Sequence, residues 1–229
     1  MIRKGKLIVF LGPVGVGKST IIRGLAQALK SRGFRTYTIL IKAFHGPAYV
    51  LWVSIARLLN LSGKYAPWFV IPRSGYINLA KVLLMFSIYF DAFFSIPLKL
   101  ILVRILRHMG YYVVSEEYLH STILDYIYST ISINVRNRFV NIPLKVLNSL
   151  LNKHSPDITV ILIANVSELK RRWTIRGYGD PQLRYIKLQY MFLNEMRKLN
   201  YILDINTSNI NIRTLLNNIL NEIFKGNEI

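Results

Sequence analysis

Apolar residues follow two rhythms along this chain. Lys6 to Leu11 is a short apolar run ending at glycines, which predicts a buried strand. From Ser19 to Arg32, residues Ile21, Ile22, Leu25, Ala26, Ala28 and Leu29 line one broad face, which predicts a helix stopped by Gly33. Arg35–Ile41 predicts a second strand and Pro47–Leu61 a helix, followed by a loop over Ser62–Gly75 with Pro67, Pro72 and two glycines. Tyr76–Met109 predicts one long helical stretch broken near Pro97, then a third strand at Tyr111–Ser115 and helices over about 118–131 and 143–153. Asp157–Ile163 has no polar alternation apart from Thr159, as a strand covered on both faces should. Helices at Val166–Arg176 and Arg184–Leu199, a strand at Tyr201–Ile205 and a closing helix over about 210–224 complete the pattern. Strands alternating with helices give an α/β class with a parallel sheet. No repeat, low-complexity tract or linker divides the chain, so one domain over residues 1–229 is expected.

Composition adds constraints. The 229 residues are 52% hydrophobic and only 18% charged, enough for a sizeable core and the wrong balance for disorder. The absence of cysteine excludes disulfides, thiolate metal sites and a cysteine nucleophile; it fits a cytoplasmic location, which is the expectation. Lys and Arg number 30 against 11 Asp and Glu, a net charge of +19 that favours polyanions: nucleotides, nucleic acid or an anionic membrane face. From Met1 to Phe90 there are 13 Lys and Arg and no acid, so any catalytic acid, base or metal ligand must come from Asp91 onward. Arg3, Lys4 and Lys6 before Leu7–Leu11 imitate a signal peptide, but five apolar residues are too few for its core. Val82–Leu98 is 17 residues long, carries Asp91 at its centre and Pro97 near its end, and falls short of a membrane span. A carboxylate at mid-bilayer costs roughly 2.5–3.5 kcal/mol, so a buried core helix is the better expectation, with contact at a membrane surface second.

The strongest chemical signal is Gly12-Pro13-Val14-Gly15-Val16-Gly17-Lys18-Ser19-Thr20, which matches G-x-x-x-x-G-K-[ST] without a gap, after a strand and before a helix. Glycines let successive N–H groups point at phosphate oxygens, and the helix beginning near Lys18 adds its positive end. Lys18 supplies a point charge for the β- and γ-phosphates, and the Ser19 hydroxyl can ligate Mg²⁺. These residues predict a P-loop that binds ATP; they do not specify the reaction.

With that loop, the chain resembles the thymidylate kinase family of P-loop nucleoside monophosphate kinases. KGKLIVFLGPVGVGKSTIIRGLAQALKSRG has the family's strand, loop and helix. YYVVSEEYLHS sits where the family has a strand ending in Asp-Arg-Tyr, with Ser121 at the matching offset. PDITVILIANVSELKRRWTIRG resembles the fourth strand with its arginine-bearing helix and lid, and YILDINTS the last strand. The resemblance implies a P-loop NTPase fold with a five-stranded parallel sheet of order 2-3-1-4-5 and helices on both faces. It also implies an acceptor-side helical region over about 43–109, a lid over about 171–184, commonly a homodimer, and γ-phosphoryl transfer from Mg·ATP to a nucleotide, most simply dTMP. The chain departs from the family at specific places. Asp-Arg-Tyr is Glu116-Glu117-Tyr118 here, so Glu117 reverses the charge of an arginine that would hold the acceptor's phosphate. Asp91 is followed by Ala92 where an arginine is often found, and the Arg-Glu-Pro after the second strand is absent, leaving Lys42 or His45 nearest. Either other cations (Lys42, Arg57, Arg73, Lys81) hold the acceptor phosphate, or the acceptor is a hydroxyl on a nucleoside, sugar or lipid alcohol. A non-catalytic ATP-binding module at an anionic surface is the reading from a different class.

Position sorts the remaining candidates, because ligands in such sheets sit beyond the carboxyl ends of the strands. Glu116 and Glu117 follow the third strand; Glu116 is the candidate for binding Mg²⁺ through water or orienting the attacking oxygen, and adjacent turn residues rarely both face one site. Asp157 begins its strand and reads as a turn residue, while Asp125 and Glu168 read as solvated helix positions. Asp91 is either near the acceptor pocket or a buried acid paired with a base. Arg172 and Arg176, four apart on one helix face, are candidates for stabilising the transferred phosphoryl group, beside the glycine-bearing segment Gly177–Pro181 that suits a lid. Tyr118 and Ser121 are candidates for acceptor contact, with packing and capping as equal alternatives. His120 is the only histidine near the site, and none has metal-ligand spacing.

Overall fold

The computed structural model describes residues 5–61, 66–175, 183–197, 202–207 and 211–225. Five strands, β1 (Leu7–Leu11), β2 (Thr36–Leu40), β3 (Tyr112–Glu116), β4 (Ile158–Ile163) and β5 (Ile202–Asn206), form one sheet of order β2-β3-β1-β4-β5. Every pairing is parallel. The expected sheet order is therefore the observed one.

The sheet is covered on both sides, and the pleat divides the core. Leu7, Val9, Leu11, Val113 and Ile161 face one cluster, shared with α2 (Pro47–Leu58), α4 (Ile77–Phe90), α5 (Ile96–His108), α6 (Leu119–Ile133) and α7 (Asn137–Lys153). Ile8, Phe10, Val114, Val160 and Leu162 face the other, under α1 (Lys18–Ser31), α8 (Val166–Ile175) and α10 (Ile212–Phe224). Alternating residues pointing to opposite apolar layers explain why these strands read as unbroken apolar runs. Helix α9 (Leu183–Met196) contributes Leu193 and Met196 to the first cluster.

Three local expectations change. The loop foreseen over 62–75 contains a short helix, α3 (Pro67–Arg73). Proline at a first helical position lacks only an N–H that has no partner there anyway, so Pro67 starts a helix rather than forbidding one. The break foreseen near Pro97 does not occur: α4 runs into a π-helical turn at Asp91–Ser95 and on into α5. The wider turn seats Pro97 at the second position of α5 with no interruption. Helix α7 begins at Asn137, six residues before the expected start, and encloses Pro143, whose burial offsets the hydrogen bond its ring forfeits.

Candidate active site

Strand β1 feeds residues 12–17 at the carboxyl edge of the sheet. Gly12 has φ 151°, and a Cβ there would lie 2.4 Å from the Leu162 carbonyl oxygen, so a side chain cannot pass β4. Gly15 (φ 91°) and Gly17 (φ 105°) adopt left-handed backbone. Such reversals gather backbone N–H groups into an anion-binding concavity. Helix α1 starts at Lys18 with Gly17 as N-cap and no side-chain cap, so its positive end faces the loop.

Lys18 is buried. Its Nζ donates to the Gly12 oxygen at 2.6 Å and the Pro13 oxygen at 3.1 Å, and pairs with Glu117 at 2.9 Å. Glu117 is also buried and has φ 65°, a left-handed conformation uncommon for a residue with a side chain. Burial pushes its carboxyl up, but Lys18, Lys42 and a hydrogen bond from Ser121 outweigh this and hold it below the usual glutamate range. Lys42, just past β2, thus faces Glu117, and Ser121 reaches it from α6.

Glu116 is the last residue of β3, in register with Phe10 of β1 on one side and Leu40 of β2 on the other. The Ser19 hydroxyl donates to Glu116 Oε1 at 2.8 Å. A hydroxyl and a carboxylate in contact are hard oxygen donors, and they fit Mg²⁺, which takes few protein ligands and completes its shell with water and phosphate. Among the described residues no group of three or more His, Cys, Asp or Glu side chains is placed to hold a metal ion.

Asp125 is a correction: it is buried rather than solvated. It accepts a hydrogen bond from Tyr185 of α9, and burial raises its pKa to about 6 despite Lys42 and that bond. Asp91 is fully buried too. It accepts from the Tyr126 hydroxyl and from the Phe44 N–H at 3.1 Å, and burial lifts its pKa to about 6. Its direct partners are therefore the Tyr126 phenol, the Phe44 amide and the Ser95 hydroxyl, while Lys99, which donates to the Leu40 oxygen, acts on it through its charge.

Tyr118 is a second correction. Its hydroxyl donates to the His154 oxygen at 2.6 Å, beside Leu7 at the start of β1. Its buried ring thus runs toward the amino edge of the sheet, away from the phosphate loop, and takes the packing alternative. His120 is buried with its pKa lowered to about 4, so it is neutral near pH 7.

The arginine-bearing helix meets the loop from outside. Arg172 Nη1 donates to the Gly15 oxygen at 3.2 Å and the Val16 oxygen at 3.1 Å, Nη2 donates to the Thr207 oxygen at 3.3 Å, and Nε donates to Glu168 at 2.7 Å. Trp173 Nε1 donates to the Val14 oxygen at 2.8 Å. In this arrangement Arg172 ties down loop carbonyls rather than standing over a phosphate. Glu168, held down to about 2 by hydrogen bonds from Arg171 and Arg172, is part of that clasp and not a free solvated acid. Arg176 and the segment Gly177–Pro181 lie outside the described residues. Sequence reading did not identify Trp173, Thr207 or Tyr185; a lone tryptophan or tyrosine on a helix gives no positional signal.

With this geometry in view, solved structures supply the comparison. The chain is similar to thymidylate kinase from Candida albicans over 98% of its length and 93% of that chain, at 17% identity and a TM-score of 0.59. Deoxyadenosine kinase from M. mycoides is similar in its structures with bound dCTP and with bound dATP. Identities are 15% and 16%, TM-scores 0.55 and 0.54, covering 96% and 95% of this chain and 99% and 98% of that one. The chain thus has a divergent thymidylate kinase-like fold, which it also shares with a deoxynucleoside kinase. No protein-family model and no curated protein matches the sequence.

Proposed function

We propose that the protein is an ATP-dependent phosphotransferase that moves the γ-phosphoryl group of Mg·ATP to a nucleotide or nucleoside-like acceptor. The observation that carries this reading is the convergence of the glycine loop, Lys18, Ser19 and Glu116 at the carboxyl ends of β1 and β3. The loop amides and the start of α1 bind the polyphosphate. Lys18 leaves the carbonyls of Gly12 and Pro13 to meet the β- and γ-phosphates. Ser19 and Glu116 would hold Mg²⁺, which shields the charge developing on the transferred group. Glu116 also sits where it can orient the attacking oxygen. Arg172, from its place under the loop, keeps the cradle in shape, and Arg176 is proposed for the lid. The fold shared with two kinases supports the assignment, as does the net charge of +19.

For the acceptor, dTMP is the simplest choice by resemblance, with Lys42, Asp91, Glu117 and Ser121 around it in a single P-loop kinase domain. A second reading draws support from the buried Glu117. A carboxylate beside Lys18 and Lys42 repels an acceptor phosphate and suits a hydroxyl that can donate a hydrogen bond. An acceptor screen that reads ADP formation from Mg·ATP across nucleoside monophosphates, nucleosides and isoprenoid alcohols tests both readings. Turnover with dTMP supports the first, turnover with an unphosphorylated nucleoside or alcohol supports the second, and ADP formation with none of them overturns the phosphotransferase reading.

A further inference from the structure

The outward face of the continuous helix α4–π turn–α5 has no partner among the described residues. Val82, Phe86, Phe94, Leu98, Ile101 and Ile105 are each 46–66% exposed along it. Phe86, Phe90 and Phe94 stack in succession, with ring centroids 5.7 Å apart at each step. The run Ile77–His108 is 32 residues, about 48 Å of helix at about 1.5 Å per residue. Its opposite face is packed into the core through Leu84, Ile88, Ala92 and Ile96, so the helix cannot leave the domain to span a bilayer. An apolar stripe of this length on a water-facing surface marks an interaction site.

Charge chooses the occupant. From Met1 to Ser115 the chain has 16 Lys and Arg and one acid, Asp91, which is buried. Both ends of the stripe carry bases. Arg73 and Lys81 line a pocket at the start of α4, and Arg104, His108 and Lys153 line another at the end of α5. A second copy docked antiparallel would set Lys81 against Arg104, with no acid on the face to compensate. An apolar, phenylalanine-rich strip with bases at both ends instead matches an anionic lipid surface, with rings among the acyl chains and bases at the headgroups. We propose that this face docks the protein peripherally on anionic membranes.

The test is co-sedimentation of the full chain with vesicles of phosphatidylcholine alone and of phosphatidylcholine and phosphatidylglycerol in equal parts, with light scattering in parallel. The expected result is binding to the anionic vesicles only. Phe94→Asp and Ile101→Asp, at exposed positions, should weaken that binding by at least about tenfold with thermal melting unchanged. Lys81→Glu combined with Arg104→Glu should weaken it while sparing the rings. The proposal is overturned if the wild type ignores anionic vesicles. It is equally overturned if the aspartate variants bind as well as wild type, which would leave only diffuse attraction. A stable dimer that Phe94→Asp turns into a monomer also overturns it, because the face is then covered by a second copy.

Discussion

The glycine-loop side and the helical side of this molecule are built on opposite plans. Around the loop, few residues do the work and each is constrained: Gly12 with no room for a Cβ, Gly15 and Gly17 in left-handed backbone, a lysine, and a hydroxyl bonded to a carboxylate. On the helical side, aromatic rings enclose an acid. Phe44 stacks on Trp68 at 4.8 Å and meets Trp52 and Tyr126, with Asp91 buried behind its N–H. The first half is specified by backbone geometry and tolerates little variation. The second is specified by packing, which many sequences satisfy.

Lys18 and Glu117 join the halves, and breaking that pair should have the largest effect. Lys18→Ala is expected to lower kcat by about 10²–10³-fold, as loss of one charge-stabilising group does. It should also cost up to about 3 kcal/mol in urea unfolding, because buried Glu117 loses its direct ion pair and keeps only the Ser121 hydrogen bond and the charge of Lys42. Adding Glu117→Gln should restore most of the stability and none of the turnover. If stability does not return, the pair is not what Lys18 contributes to the fold. Glu116→Gln should reduce kcat by about 10²-fold with ATP affinity in the absence of Mg²⁺ unchanged, which steady-state kinetics and a binding titration separate.

The buried acids sharpen the contrast through pH. Asp91 and Asp125 have pKa values raised to about 6 in the fold, against an ordinary value of 3.8. Between those values the native state holds protons that the unfolded chain has released. Their contribution is therefore full below about pH 4 and lost as pH rises toward 6, on the order of 2–3 kcal/mol for each acid. Glu117, shifted the other way, contributes above the ordinary glutamate range and loses its share as pH falls below it. Urea melts from pH 4 to 7 should show the decline, and Asp125→Asn should flatten part of it. A smaller effect is expected from Trp173→Ala: a several-fold rise in KM for ATP with kcat nearly unchanged, from a loosened loop. The smallest is Tyr118→Phe, which removes one hydrogen bond to His154. It should cost about 1 kcal/mol and leave kinetics untouched; a change in KM for the acceptor would return Tyr118 to the site.

The glycine-loop side was legible in sequence because its signal is local: nine consecutive residues and a flanking strand and helix determine it. The sheet order came with the resemblance that those residues opened. The helical side was read less well because burial is a tertiary property. Asp125 lies on the buried face of α6 beside Thr122, Tyr126 and Ser129, polar or mixed residues that give no apolar stripe to mark that face in sequence, and Tyr185 of α9 closes over it. Arg172 has the spacing of a phosphate ligand, yet Glu168, one turn before it, and the carbonyls of Gly15 and Val16 claim the guanidinium. Tyr118 follows the motif position but turns to the other edge of the sheet. Prolines misled in both directions, since Pro67 starts a helix and Pro97 fails to end one.

The π turn at Asp91–Ser95 acts as a phase shifter. An α-helix advances about 100° per residue, so one residue more or less within that turn would rotate everything downstream by that angle. Deleting a residue there would swing Leu100 and Val103 out of the interior and carry neighbours such as Arg104 inward. The azimuth of α5, and with it the separation of greasy and wettable sides along its whole length, thus hangs on the residue count of a single wide coil.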